Sequence, residues 1–160
     1  MSGLPSSAAG HPEAEDGSLR SIPLLCQALS PGPARDAAVR LLSGSDGSAA
    51  LVTTRCQAGA VYALVDVAAE PGDPPPAAAV LVAHGDGGME LSDLIAPGPN
   101  GSDLTVRLLA ELCDALRHSD VRRLVVDTPG TTVPAIELLE QAGFRPAAVE
   151  NGADWFELRL

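Results

Sequence analysis

The sequence predicts an α/β domain built on a mixed β-sheet, and three observations carry that reading. Val-rich runs of strand length, separated by Gly, Pro and Asp, fill much of the first half. Further on, Leu104, Leu108, Leu109, Leu112, Cys113 and Leu116 mark one helical face while Asp103, Arg107, Glu111, Asp114 and Arg117 mark the other. Beyond that helix, single strand-like segments alternate with helical ones, which favours at least one parallel pairing because a crossover must return the chain to the same sheet edge. The expected architecture is an antiparallel meander followed by β-α-β-α-β-β with a central parallel pair and helices on both faces.

Composition bounds the rest. A chain of 160 residues with 46% apolar content is enough for one domain with a buried core, and 2% aromatic content means that Ala, Val, Leu and Ile must fill it. All ten cationic residues are Arg, and the net charge of −11 opposes binding to a phosphate backbone, so no nucleic-acid partner is expected. Cys26, Cys56 and Cys113 are odd in number and widely spaced, which argues for buried thiols rather than disulfides or a metal site. With no apolar run of membrane length and no leader-like N-terminus, neither a membrane partner nor export is expected, and a cytoplasmic location fits.

Residues 1–18 read as a disordered acidic tail and 19–160 as one domain. From Leu19 to Leu42, apolar clusters around Pro31-Gly32-Pro33 suggest two short helices ending at Gly44. Ala49–Arg55, Val61–Val67, Ala77–Ala83 and Met89–Ala96 read as strands, with Glu70–Pro76 as a surface connector. Arg122–Thr128 reads as a buried strand. Pro134 opens a further helix with Ala135, Ile136, Leu138, Leu139 and Ala142 on its apolar face and Gly143 as its stop. Phe144–Glu150 and Asp154–Leu160 close the sheet.

Ile95-Ala96-Pro97, then Gly101, Leu104 and Leu108-Leu109, resemble the strand exit, pyrophosphate loop and first helical turns of the GNAT superfamily of N-acetyltransferases. Ala135-Ile136-x-Leu138-x-x-x-x-Gly143-Phe144 resembles its second signature, and the likeness runs from about Val61 to Leu160. In the family two helices lie between the first and second strands, whereas here the helical stretch reads as preceding both. The resemblance implies acyl transfer from acetyl-CoA or another acyl-CoA, as co-substrate, to an amine on a small molecule or protein, without a metal. It also makes a homodimer plausible, as do exposed edge strands. The alternative is a non-catalytic interaction or ligand-sensing module of the same fold.

The family holds the coenzyme pyrophosphate on backbone amides at a helix N-terminus, through Arg/Gln-x-x-Gly-x-Gly/Ala. Here Asn100, Gly101, Ser102, Asp103, Leu104 and Thr105 occupy the loop, and all three signature positions differ. A carboxylate about 4 Å from a phosphate costs roughly 4 kcal/mol at an effective dielectric of about 20, so the direction of Asp103 matters. Equally, Ser102 or Gly101 would cap the helix, with Asp103 favouring its positive end by about 0.3–1 kcal/mol. By resemblance, Arg107 and Thr132 join the coenzyme site, and a backbone N–H near Ile95 and Ala96 polarises the thioester carbonyl. Leu139 stands where the family often has a proton-donating Tyr. Asp93 and Glu90 are the candidate general bases, with Asp93 preferred because it shares strand parity with Met89, Leu91 and Ile95, where an unpaired carboxylate would be costly.

Overall fold

The computed structural model describes residues 23–44, 49–85, 87–127, 136–150 and 153–160. The expected tail, residues 1–18, lies outside them. In chain order the elements are β1 (Leu24–Ala28), α1 (Pro33–Ser43), α2 (Ala49–Ala58), β2 (Ala60–Asp66), β3 (Ala77–Ala83) and β4 (Gly88–Ile95). There follow α3 (Gly101–Arg117), β5 (Arg123–Asp127), α4 (Ile136–Gln141), β6 (Arg145–Glu150) and β7 (Ala153–Arg159). The sheet order is β1-β2-β3-β4-β5-β7-β6. β4 and β5 run parallel while the other neighbours are antiparallel, so the expected mixed sheet with a central parallel pair is what forms.

Two expectations fail near the N-terminus. The segment read as a first helix supplies β1, whose five residues pair with β2 from Leu24↔Asp66 to Ala28↔Tyr62. So short a segment cannot display a 3.6-residue period, and its edge pairing decides its state. Conversely, the β-branched run Val52-Thr53-Thr54, read as a strand, lies in α2. Val52 and Cys56, one turn apart, are buried beside Ala63, Ala78 and Val80, and Thr54 Oγ1 donates back to Ala50 O at 3.0 Å. Packing against the sheet overrides propensity here. Both helices therefore fall between β1 and β2, contrary to the order read from sequence.

The sheet separates two cores. On one face, α3 and α4 bury Leu104, Leu108, Leu112, Leu139 and Phe144 against Leu64, Leu81, Leu91 and Leu124. On the other, α1 and α2 lie on β2 and β3, where Ala63, Ala78 and Val80 are fully buried. Alanines at those positions leave room for helices to sit close to the strands. At the far end, α4 stops where Gly143 takes φ +105°, a conformation open to glycine, and Phe144 N–H donates to Leu139 O at 3.0 Å.

β4 carries a bulge. Val80 faces Asp93 and Leu81 faces Leu91, so Ser92 is an extra residue that reverses the side-chain alternation. Met89 and Leu91 therefore face the α3 core, while Ile95 packs into the α1/α2 core. The parity shared by Asp93 and Leu91 in the sequence is broken by that one residue.

The β1 edge is occupied. Arg107 Nη2 donates to Leu24 O at 2.7 Å, and Glu111 accepts both from Cys26 N–H, at 3.2 Å, and from Arg107 Nε, at 2.8 Å. One ion pair on α3 thus satisfies two edge groups that would otherwise invite another strand. Glu111→Ala should cost about 1–2 kcal/mol, because it strands the Cys26 amide. Faster hydrogen exchange at Cys26 and a lower urea midpoint are the expected results; an unchanged exchange rate would show that the edge is protected by other means.

Candidate functional site

β4 and β5 form a fork. Their ladder holds only at Gly88↔Arg123, Met89↔Leu124 and Glu90↔Val125, and the strands then part. The closed end is tied by Arg122 N–H to Gly87 O at 2.7 Å, next to the β3–β4 hairpin, which His84 N–H closes onto Gly88 O at 3.0 Å. Gly88 is needed there, since a Cβ would stand 2.5 Å from His84 O. From the bulge to Ile95, the β4 edge that faced β5 has no strand beside it among the described residues.

The chain leaves β4 through Ala96–Asn100 and enters α3 directly. Gly101 brings the helix start so near the strand end that a Cβ there would collide with Ala96 O. Gly101 N–H donates to Gly98 O at 3.1 Å, and the first intrahelical bond runs from Leu104 N–H to Asn100 O at 3.0 Å. Asn100 is the N-cap residue, and no side chain caps the helix, so neither Ser102 nor Gly101 plays the capping role expected of them. The first-turn amides are left for solvent or an anion. Ser102 and Asp103 are exposed, whereas Leu104 and Thr105 are buried and pack inward.

Of the two base candidates, the structure commits one elsewhere. Asp93 is 1% exposed and held from two sides: Arg55 on α2 donates through Nε to Oδ2 at 2.7 Å and through Nη2 to Oδ1 at 2.8 Å, and Ser92 Oγ donates to Oδ2 at 3.0 Å. With three of its roughly four acceptor positions filled, Asp93 is committed to Arg55 and Ser92, and of the two candidates Glu90 is the more exposed, at 21% against 1%. Burial opposes the Arg55 charge, but the hydrogen bond to Asp93 outweighs it and raises the guanidinium pKa further.

Glu90 lies at the crotch of the fork, opposite Val82 on β3 and Val125 on β5. Burial pushes its carboxyl above the usual carboxylate range; His84 pulls it down and Asp127, across the fork on β5, pushes it up. His84 Nδ1 is 3.8 Å from Glu90 Oε1, and the imidazole packs against the Trp155 ring with centroids 5.0 Å apart. Sequence reading gave neither Arg55 nor His84 a role. Arg55 was hidden by the strand assignment; the Gly-rich turn after His84 was a usable signal, because a hairpin there returns the chain past its own start.

Other site expectations fare unevenly. Ile95 and Ala96 sit at the mouth of the fork, partly buried. Arg107 points to β1, where it holds Leu24 O, rather than to the loop. Leu139 is fully buried in the α3/α4 core, and Tyr62, the sole tyrosine, is on β2. Thr132 lies outside the described residues. The cysteines are free, and burial raises the Cys26 and Cys113 thiols to about 11, which makes them poor nucleophiles.

No family model matches the sequence, and no curated protein matches it. Solved structures do match in shape. An acetyltransferase from Bacillus subtilis in complex with CoA is 15% identical with a TM-score of 0.61, covering 86% of this chain and 99% of its own. A GNAT family acetyltransferase from Elizabethkingia anophelis with acetyl-CoA bound is 15% identical with a TM-score of 0.60, covering 86% and 98%. The aminoglycoside 6'-N-acetyltransferase from Enterococcus faecium is 13% identical with a TM-score of 0.62, covering 84% and 96%. The chain has the GNAT fold.

The Asp93 geometry yields a stability test. Arg55→Met leaves a buried carboxylate without its cation and should cost about 3 kcal/mol, whereas Arg55→Met combined with Asp93→Leu should recover most of the loss. Urea midpoints at constant m-value measure both, and a loss below about 0.5 kcal/mol in the single variant would show that the pair anchors nothing.

Proposed function

We propose that the protein is an N-acyltransferase that moves an acyl group from acyl-CoA to an amine. What carries the reading is the parting of β4 and β5 beyond Glu90 and Val125, beside a helix N-terminus with no side-chain cap, in a fold shared with acetyltransferases whose structures hold CoA or acetyl-CoA. An unpaired strand edge can hydrogen-bond the amide groups of a pantetheine arm as a missing strand would, and first-turn amides suit a pyrophosphate. The residues present fit such a co-substrate at the backbone level: Asn100 to Asp103 would hold the phosphates, and the β4 edge near Ile95 and Ala96 would hold the arm and polarise the carbonyl. The thioester supplies an activated acyl carbon and a thiolate leaving group.

Glu90 is the general base in this reading. Its raised pKa and half-buried place at the crotch suit a group that takes a proton from an incoming ammonium, freeing the nitrogen lone pair for attack. The new C–N bond forms as the C–S bond breaks. With Leu139 where a proton donor would stand, the thiolate is protonated by water or by the attacking nitrogen. Positioning is then the main source of rate.

A second reading, a non-catalytic interaction or ligand-sensing module, is favoured by the loop. Arg107 is spent on β1, Thr105 is buried, and Asp103 places a negative charge in the first turn. For a homodimer we propose the β6 edge, since Arg107 and Glu111 occupy that of β1.

Calorimetric titration with acetyl-CoA separates the two readings: micromolar binding supports transfer, and silence at millimolar coenzyme removes it. Asp103→Gly should tighten that binding by up to about tenfold, because an exposed carboxylate is partly screened. Glu90→Gln should lower kcat by about 10² or more, and the wild-type acid limb should lie above that of an ordinary carboxylate because burial raises the Glu90 pKa. The same substitution should stabilise the protein at neutral pH. Glu90 has a higher pKa folded than unfolded, so the stability it contributes is intact below the ordinary carboxylate pKa and is lost as pH rises through the raised value. A melting temperature that rises while turnover falls is the expected signature; the reverse pairing would remove Glu90 from the base role.

A further inference from the structure

A second cleft, of about 650 Å³, opens at the β1–β2 side of the sheet, where the Pro-rich connector folds over the edge. β3 stands between it and the fork in the strand order. Its apolar walls include Leu29, Val65, Pro75 and Leu104, and its acidic residues are Asp66, Glu70 and Asp73; among the described residues none that lines it is cationic. Val67, another lining residue, is 57% exposed, an apolar surface left uncovered beside three carboxylates. The volume lies within the roughly 300–1,000 Å³ typical of small-molecule sites.

The connector read from sequence as a plain surface link thus has a structural use. Pro74, Pro75 and Pro76 form a wall with fixed φ angles, so little chain freedom is lost when a ligand settles against it. The acidic loop is ordered by its own bonds: Asp66 Oδ1 accepts from Ala68 N–H at 2.9 Å, and Asp73 Oδ2 accepts from Glu70 N–H at 3.1 Å. Three carboxylates line the opening and, among the described residues, no cation does, so a positively charged group is favoured there over an anion. The net charge of −11 adds a long-range attraction of the same sign.

We propose that this cleft binds an organic cation with an apolar body, its ammonium among Asp66, Glu70 and Asp73 and its hydrocarbon or aromatic part against the prolines and Val65. The cleft shares Leu104 with the first turn of α3 but takes no residue from β4 or β5. An anion of the same shape meets three carboxylates, and a small hydrophilic amine lacks the body to cover the walls. Selectivity should therefore need both charge and apolar area.

The test is an amide-resolved NMR titration of the full chain with 4-phenylbutylamine, with 4-phenylbutyrate and butylamine as controls. The arylalkylamine should shift the amides of Val65 to Val67 and of Glu70 and Asp73, and bind about tenfold more tightly than either control. The Glu70→Gln/Asp73→Asn variant, changed only at exposed loop positions, should lose the preference for amine over acid, and Ala34→Phe should reduce binding by narrowing the cleft. Equal affinity for amine and acid, shifts confined to residues around Glu90, or no binding at millimolar amine would each overturn the proposal. So would binding that appears only after residues 1–18 are removed, since the cleft would then belong to the chain's own N-terminal segment.

Discussion

The Arg55–Asp93 pair sits where three requirements meet. It joins α2 to β4, it lies beside the extra residue of the bulge, and it keeps one charge almost wholly out of water. Removing a carboxylate from solvent is expensive, and two short guanidinium bonds with a hydroxyl contact offset that cost only in one geometry. The bulge is thereby fixed: any slip of β4 against β3 would carry Asp93 off Arg55 and into the leucine core. A bulge also increases local twist, which turns the second half of β4 out of line with β5. The fork is thus a consequence of a buried charge, and α2 is a brace for it rather than a cover for the sheet alone.

Division of labour between the two carboxylates follows from the same geometry. Asp93 is satisfied, and Glu90 is not comparably held: it has a neighbouring imidazole at 3.8 Å, a second carboxylate across the fork and partial burial. Environments that fully partner one acid and leave the other desolvated at a gap are those in which acid–base chemistry is found. Partial burial carries a stability cost, and a residue that only filled space at that position would be better uncharged.

Much of the second half was legible in the sequence because its signals are local. The leucine face of α3, the Gly143-Phe144 stop and the closing strands need no distant partner to be recognised, and α3 and both strands stand within a residue or so of where they were expected. The N-terminal third depends on distant partners. Leu24 to Ala28 become a strand because β2 lies alongside, and Ala49 to Ala58 a helix because Val52, Cys56 and Arg55 find the sheet and Asp93. Those partners are tens of residues away, beyond any window of periodicity. The site divides in the same way: the loop and Glu90 stand on elements read from local signals, whereas one bulged residue, which no strand alternation can reveal in advance, turns Asp93 towards α2.

The loop before α3 has lost sequence features without losing their geometry. Asp103 contributes favourably to the helix dipole, yet it does not cap the helix, and neither does Ser102. Here Gly101 N–H bonds to Gly98 O, the Asn100 side chain caps none of the remaining first-turn amides, Gly101 closes the helix onto the end of β4, and Gly98 turns through φ +93° with open space around it. Backbone donors do not depend on side-chain identity, so the groups that would bind a pyrophosphate persist where the residues that usually advertise them have changed. That asymmetry is consistent with a fold that matches solved structures in shape while no family model matches in sequence.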